Sequence, residues 1–454
     1  MILTRLNKTY FIVSGLLYLT FLYTSGAFIS LYVLNIVTFL IYLYLLLYCF
    51  EQPKSFYSPS HLVVIVFVYT SLMVIIYNYI TYIYTDNFFM FDATDPMTYH
   101  RHSLIMASKS FYGGIKYYLR QGYTYDDLGA VLIQSTLYRL IPSKFFLDFF
   151  FIICGLFATL GIYRISSNFM SQRYAFVCCL AYSLSSCTIF YHASGRKETF
   201  MCMLIVLFFD RYYQFRRNGA FIHLAYAAIF LLGLLFFRPA IIFLVLGSVC
   251  MGVFIQRGKG KKGPFLLILI FASIIVLRPV FKSTFDSFLR GGDINRVIEV
   301  KKSENMVKGS VRFTYAVNLL AQLIGPLPTI SSGTKAILSF YSPGLIYRVL
   351  LASLFWLGTY YVFQLKLDAL YPLIFFAFLE MAALLSILEG LELRKSMPHF
   401  FVFYVIAFWF MDHYESGKKT IISKNRWKIR MVFSLSSVLA FCLVLAWNIR
   451  NQMQ

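Results

Sequence analysis

The feature that most constrains this chain is a series of apolar segments, each roughly 20 residues long, the length at which a helix crosses a ~30 Å hydrocarbon core. Of its 454 residues, 59% are hydrophobic and 13% are charged. Soluble domains are about half apolar and about a quarter charged. The pattern excludes a soluble enzyme, a disordered protein and a fibrous protein. It predicts an all-α, polytopic helical membrane protein that forms a single integral membrane domain over residues 1–454.

The apolar segments predict about 13 transmembrane helices. Their approximate limits are residues 10–25, 28–49, 62–83, 144–164, 174–192, 199–215, 220–237, 239–256, 264–281, 343–364, 369–389, 399–412 and 431–448. Two long polar segments, residues 84–143 and 282–342, interrupt the series. The eight cysteines all fall within apolar segments, so we interpret them as small hydrophobic residues rather than as disulfides or metal ligands.

The net charge of +22 would suggest a nucleic-acid partner in a soluble protein. In a membrane protein, Lys and Arg instead concentrate in the loops on the cytoplasmic side. If the N-terminus is cytoplasmic, alternating spans place a basic loop at every cytoplasmic position. We therefore expect the bilayer as a partner and no nucleic acid. The same alternation places both long polar segments outside, as two large extracytoplasmic loops.

The first outer loop, residues 84–143, contains two aspartates just before a predicted helix. Asp95-Pro96 is a helix-start pattern, and it predicts a short surface helix from Pro96 to about Tyr112. Asp92 precedes this helix, close to its partly positive end. Asp92 and Asp95 are the catalytic candidates, because a carboxylate here can accept a proton from an attacking hydroxyl. Asp95 is equally well explained as a helix cap, and Asp92 as a solvated loop residue.

A divalent cation bound through the oxygens of the same two aspartates is a further alternative, although two carboxylates alone are a weak metal signal. We assign no cofactor and no metal ligand from the sequence. Further along this loop, several tyrosines surround Arg120, Asp126 and Asp127. Aromatic faces beside polar groups suit sugar rings, and tyrosines equally anchor membrane interfaces.

A second outer turn, Ser194 to Glu198, joins two predicted spans. Arg196 and Lys197 lie near a helix N-terminus, where the macrodipole disfavours cations. A nearby anion is therefore expected, which is either Glu198 or a bound phosphate. Arg238 precedes a proline at a similar outer helix end.

The second outer loop, residues 282–342, is basic although it is predicted to lie outside. Arg290, Arg296 and Arg312 are among its cations, and guanidinium groups bind phosphate oxygens well. A lipid diphosphate headgroup would be a natural ligand. Attraction to anionic lipid headgroups is the simpler alternative.

An acidic motif in an early outer loop, a following surface helix and many aromatic-rich spans resemble the GT-C class of membrane glycosyltransferases. The resemblance covers about residues 60–260 and depends on Asp92, Asp95 and Tyr99, with weaker support from Arg196 to Glu198. It implies that the substrate is a sugar or glycan on a polyprenyl phosphate or diphosphate. It also implies that an acidic residue of this loop activates the acceptor or binds a metal. In that class the acidic loop usually follows the first span, whereas here it follows the third.

The chain also resembles Wzy-type polymerases of bacterial O-antigen and capsule clusters. Those proteins have a similar length, are basic and rich in Tyr and Phe, and have two large outer loops with arginines. Arg290, Arg296 and Arg312 would fill that role. Both resemblances imply an enzyme of the bacterial inner membrane with an extracytoplasmic active site, a polyprenyl-linked glycan substrate and other polysaccharide assembly proteins as partners.

A flippase or transporter of the same lipid is the alternative from a different functional class. It would need polar residues along its spans. The sequence offers few, mainly Arg278, Arg348 and Glu380.

Overall fold

The computed structural model describes most of the chain. The described residues are 29–89, 95–121, 125–255, 299, 302–303, 311–327, 342–389, 393–416 and 421–452. Within them the secondary structure is helical and includes no strand. The predicted site residues Asp92, Arg290 and Arg296 lie outside the described residues, as do the predicted spans 10–25 and 264–281.

We number the described α-helices in chain order. They are α1 (Ile29–Phe50), α2 (Pro59–Thr85), α3 (Asp95–Ala107), α4 (Phe111–Arg120), α5 (Tyr125–Leu140), α6 (Lys144–Ser166), α7 (Gln172–Ser183), α8 (Ser186–Ala193), α9 (Glu198–Asn218), α10 (Phe221–Gly233), α11 (Pro239–Ile255), α12 (Val311–Ile324), α13 (Ser342–Gln364), α14 (Tyr371–Ser386), α15 (Leu393–Glu415), α16 (Ile421–Lys424) and α17 (Arg426–Gln452). Single 3₁₀ turns occupy Lys54–Phe56, Leu234–Phe236 and Asp368–Leu370.

Five described segments are helices long and apolar enough to cross a membrane, which makes this a membrane protein with several spans. They lie in α2, α6, α13, α14 and α17. Helices α7 and α8 make a sixth candidate if the pair, bent by 49°, is one span. Helices α1, α10 and α11 contain shorter apolar stretches, and α9 and α15 are not among the candidates. The described residues therefore support a multi-pass architecture but do not confirm 13 spans.

The core of the bundle is aromatic, and α15 lies at its centre. Helix α15 packs against α7, α9, α13 and α14, and most of its residues are buried. The rings of Phe355 and Phe403 stack with their centroids 3.8 Å apart across the contact between α13 and α15. At the periphery, α2 exposes an apolar row that includes Val64, Val68 and Leu72. Such a row suits hydrocarbon, because an exposed apolar face costs nothing in lipid.

Polar contacts at one end of the bundle join loops that the charge pattern places together. Arg164 pairs with Asp210 at 2.9 Å between the ends of α6 and α9. Arg173, at the start of α7, pairs with Glu415, at the end of α15, also at 2.9 Å. The opposite end of the bundle holds the first residues of α6, α9, α11 and α15. The predicted alternation of the spans and the identity of the cytoplasmic face stay predictions.

Helix α3 is shorter than the sequence analysis predicted. It ends at Ala107 rather than near Tyr112, because Ser110 begins a new helix. The Oγ of Ser110 accepts a hydrogen bond from the backbone N of Gly113 at 3.2 Å, which caps α4. The buried face of α3 packs against α5.

Candidate functional site

The turn between α8 and α9 is held by contacts from two other helices. Gly195 has a φ of +67°, a conformation that glycine adopts without steric cost. Gln134 of α5 donates a hydrogen bond to the Gly195 carbonyl at 3.0 Å. Lys144, the first residue of α6, donates to the Ala193 carbonyl at 2.9 Å. The backbone at Arg196 to Glu198 is therefore anchored before any ligand binds.

A buried polar network supports this turn from the side of α2. The ammonium of Lys144 pairs with Asp148 at 2.7 Å and donates to the Asn78 side chain at 2.8 Å. Asn78 also donates to Asp148 at 2.7 Å. All three side chains are buried. Because one cation satisfies groups of α2, α6 and the turn, the network fixes where the turn lies relative to the spans.

Lys197 pairs with a carboxylate from another part of the chain. Its ammonium contacts Oδ1 of Asp127 on α5 and donates to the carbonyl of Phe237 at 3.1 Å. The hydroxyl of Tyr99 donates to the same Asp127 oxygen at 2.8 Å. The anion expected beside Lys197 is thus Asp127, a choice that the sequence analysis did not include.

The charges around Tyr99 keep its hydroxyl protonated. Burial raises the pKa of Tyr99 well above its usual range, and the negative charges of Asp127, Glu198 and Asp95 raise it further. Tyr99 therefore acts here as a neutral hydrogen-bond donor. Glu198 and Asp95 therefore act electrostatically on the Tyr99 hydroxyl.

Asp127 is held in its charged form. Burial alone would raise the pKa of its carboxyl, but the Lys197 ammonium and the hydrogen bonds from Lys197 and Tyr99 outweigh that effect. The net result is a pKa below the usual range. A carboxylate with a low pKa is a poor proton acceptor and a good electrostatic anchor. Asp127 therefore suits a positioning role better than that of a general base.

Two arginines extend this arrangement. Arg394, near the start of α15, donates to the carboxylate of Asp95, and the two side chains are 26% and 40% exposed. Arg238, which precedes α11, acts electrostatically on Asp127 and on Glu380 of α14. We call the following residues the polar cluster: Asp95, Tyr99, Asp127, Lys197, Glu198, Arg238 and Arg394.

Five predicted candidates belong to the polar cluster: Asp95, Tyr99, Lys197, Glu198 and Arg238. Arg196 is buried in the same turn as Lys197. Arg312 is exposed on α12, and no described contact joins it to the cluster.

Sequence reasoning did not select Asp127 and Arg394 as site residues. Asp127 was noticed only as a neighbour of aromatic residues, and its position 70 residues before Lys197 leaves no local signal of their pairing. Arg394 lies 299 residues after Asp95. To predict either ion pair from the sequence, one would need separate evidence that the two segments are in contact.

The two histidines of α3 point to different partners. Nδ1 of His100 lies 2.9 Å from the Tyr138 hydroxyl, and Nδ1 of His102 lies 3.2 Å from the Tyr117 hydroxyl. Among the described residues, no group of three or more His, Cys, Asp or Glu side chains could hold a metal ion. The carboxylate of Asp95, one of the two considered as oxygen ligands for a divalent cation, forms an ion pair with Arg394.

The polar cluster presents charged groups of both signs to a polar ligand. It combines three carboxylates, a protonated hydroxyl and three cations at the ends of packed helices. Together with the apolar helices, it defines a multi-pass helical membrane protein with a charged site at one end of the bundle. No family model matches the chain, and no curated protein matches it.

Proposed function

We propose that this protein transfers a glycosyl group from a polyprenyl phosphate- or diphosphate-linked sugar or glycan to an acceptor. The reaction would occur at the extracytoplasmic face of a bacterial inner membrane, during assembly of O-antigen or capsule. The polar cluster is the observation that carries this proposal, because it joins a carboxylate and several cations at the ends of apolar helices. A lipid carrier places its phosphate and sugar at the membrane surface, where such helices end.

In the proposed reaction, an acceptor hydroxyl attacks the anomeric carbon of the donor sugar. The acceptor proton passes to Asp95, the most exposed of the three carboxylates of the cluster, or to Asp92. The bond between the anomeric carbon and the phosphate oxygen breaks, and the phosphate leaves with the bonding electrons. Arg196 and Arg238 stabilise that charge, which is the larger part of the catalysis. Lys197 supports the site indirectly, because its ion pair stabilises the charged form of Asp127.

The proposed orientation follows from charge. The end of the bundle opposite the polar cluster carries Arg164, Arg173, Arg217 and Arg426, whose guanidinium donates to the Tyr414 carbonyl. Basic loops favour the cytoplasmic side. We therefore place the polar cluster outside, with a cytoplasmic N-terminus and about 13 spans in the complete chain.

A Wzy-type polymerase is the closest alternative within the same chemistry. The acceptor would then be a second lipid-linked repeat unit, and the second outer loop would hold one of the two lipid phosphates. This version requires Arg290, Arg296 and Arg312. Substitution of these three residues by Gln should stop chain extension and leave a product with a single repeat unit.

A flippase for the same lipid is favoured by the bend between α7 and α8, which the sequence did not suggest. The two helices meet at 49° within one predicted span, and the bundle interior contains the buried side chains of Arg348, Glu380 and His399. Broken helices and buried charges are frequent in transporters. A flippase would leave lipid-linked intermediates on the inner leaflet when it is inactivated, whereas a transferase would leave them on the outer leaflet.

The test is complementation of a deletion strain, with surface polysaccharide and lipid-linked intermediates as the readouts. Asp95→Asn should lower transfer by about 100-fold or more at an unchanged protein level, because general base catalysis contributes about 10² to 10⁴. Asp412→Asn is the matched control, since Asp412 binds Ser171 at the opposite end of the bundle. Full transfer in both Asp92→Asn and Asp95→Asn would remove the proposed chemistry.

A further inference from the structure

A groove lies between the first two described helices. Helix α1 packs mainly against α7, whereas α2 packs more closely against α6 and α8, so the last turns of α1 stand apart from the first turns of α2. The groove between them has a volume of about 430 Å³. Ligand sites in proteins typically measure about 300–1,000 Å³, so this space can hold part of an organic molecule.

The groove is amphipathic. Leu45 and Cys49 lie one turn apart on its α1 side, and Val64 and Ile65 line its α2 side. Phe56, in the turn between the two helices, closes one end. The polar residues that line the groove are Tyr48, Ser60 and His61.

The turn that closes the groove is held by its own contacts. The hydroxyl of Tyr57 donates to the Gln52 carbonyl at 2.7 Å, and the hydroxyl of Tyr163 on α6 donates to the Tyr57 carbonyl at 2.7 Å. The rings of His61 and Phe56 stack with their centroids 5.1 Å apart. The groove is therefore preformed, which lowers the cost of ordering it around a ligand.

The groove opens onto the lipid-facing surface of the bundle. Val64, which is 60% exposed, both lines the groove and begins the apolar row that continues through Val68 and Leu72. The candidate membrane span of α2 starts at Pro59, directly after the turn. The turn therefore lies at the depth of the lipid headgroups, and the apolar walls extend into the hydrocarbon. A membrane lipid has its polar and apolar parts in the same order.

The charges on the turn indicate the kind of headgroup. Glu51 and Lys54 are both exposed there, three positions apart. A zwitterionic headgroup can place its phosphate beside the Lys54 ammonium and its own ammonium beside the Glu51 carboxylate. An anionic headgroup would gain from Lys54 but would be repelled by Glu51. Phosphatidylethanolamine has the matching pair of charges.

We propose that this groove binds a phosphatidylethanolamine molecule, with one acyl chain between α1 and α2 and the headgroup on the turn. A chain that leaves the bilayer for the groove gains no hydrophobic energy, because both surroundings are apolar. The binding energy comes from close packing in a preformed space and from the headgroup contacts. The groove lies at the end of the bundle opposite the polar cluster, so the site does not depend on the proposed glycosyl transfer.

The first test measures the phospholipid that the full chain retains. The protein is purified from a bacterial membrane that contains both phosphatidylethanolamine and phosphatidylglycerol, and it is washed extensively in dodecyl maltoside. Mass spectrometry of extracted lipid and a phosphorus assay should find about one phosphatidylethanolamine per wild-type chain. Val64→Trp fills the groove and should lower that amount about fivefold or more. Leu72→Trp is the matched control, because it lies on the same exposed row outside the groove.

The second test measures the choice of headgroup. Phosphatidylethanolamine added to micelles of the delipidated protein should raise the Tm of the wild type saturably. Lys54→Gln should require about two- to fivefold more of it, because an exposed charge contributes about 0–1 kcal/mol. Glu51→Gln should weaken the response to phosphatidylethanolamine and strengthen the response to phosphatidylglycerol. Lys428→Gln, which removes an exposed cation at the same end of the bundle, should respond as the wild type does.

Three results would overturn the proposal. They are no retained phospholipid in the wild type, equal retention in Val64→Trp and Leu72→Trp, and retention of phosphatidylglycerol in place of phosphatidylethanolamine. A wild-type dimer that Val64→Trp converts to a monomer would also overturn it, and would assign the groove to a second copy of the chain. If Val64→Trp does not accumulate, Ser60→Trp at the exposed polar end serves in its place, with the same expected loss.

Discussion

The ion pair between Lys197 and Asp127 should hold the turn before α9 against the outer helices α3 and α5. Lys197→Met removes the ammonium with little change in volume. It leaves the Asp127 carboxylate with the Tyr99 hydroxyl as its described donor. The two side chains are 10% and 30% exposed, so the orphaned charge would be only partly solvated.

The magnitude follows from this burial. Removal of one partner from a fully buried pair costs about 3–5 kcal/mol, whereas an exposed pair contributes about 0–1 kcal/mol. The pair between Lys197 and Asp127 lies between these limits but closer to the buried one, so we expect about 2–3 kcal/mol for Lys197→Met. Because the unfolding entropy scales with chain length, this corresponds to a fall in Tm of about 2–3 °C.

A double-mutant cycle isolates the pair. Asp127→Asn alone removes the carboxylate that pairs with the ammonium, which keeps its hydrogen bond to the Phe237 carbonyl, and the double variant removes both charges. The double variant should therefore lose less than the sum of the single variants, by about 1–2 kcal/mol. The matched comparison is the more exposed pair of Asp95 and Arg394, for which we expect a coupling below about 1 kcal/mol. Additive effects of Lys197→Met and Asp127→Asn on Tm in detergent would refute the reasoning.

Three further predictions test the same region. Because the pKa of Asp127 is lowered on folding, its contribution to stability is fully present above the unfolded pKa of about 4 and is lost as the pH falls through the folded pKa. The difference in Tm between the wild type and Lys197→Met should therefore persist from pH 8 to 5 and shrink only below about pH 4. Gly195→Ala should lower the free energy of unfolding by about 1–2 kcal/mol, because a residue with a side chain is strained at a φ of +67°. An unchanged Tm would contradict this prediction. Gly155→Ala should lower the free energy of unfolding by about 1–3 kcal/mol, since the new Cβ would lie 2.5 Å from Nε2 of His192. An unchanged Tm would show that α6 and α8 can move apart to accept the methyl group without loss of stability.

The sequence was sufficient to predict the class of the molecule and the location of much of its polar surface. Hydropathy is a property of one continuous segment, so apolar stretches of about 20 residues predict membrane helices without any knowledge of their neighbours. The same logic pointed to Asp95 and to Arg196 to Glu198, because each lies between apolar segments or at a helix start, whereas Tyr99 came only from the resemblance to membrane glycosyltransferases. In the structure Asp127 joins Tyr99 to Lys197, and Asp95 and Glu198 act electrostatically on Tyr99.

The pairing of charges was decided only by tertiary structure. Nothing local to Lys197 indicates that its anion is Asp127, and nothing local to Asp95 indicates Arg394. The burial of Arg348 depends in the same way on which helices surround it. The break between α7 and α8 was equally hidden, because residues 174–192 are apolar enough to be interpreted as one span. Hydropathy records how each residue interacts with solvent or lipid, whereas an ion pair or a helix break depends on which distant segments pack against it.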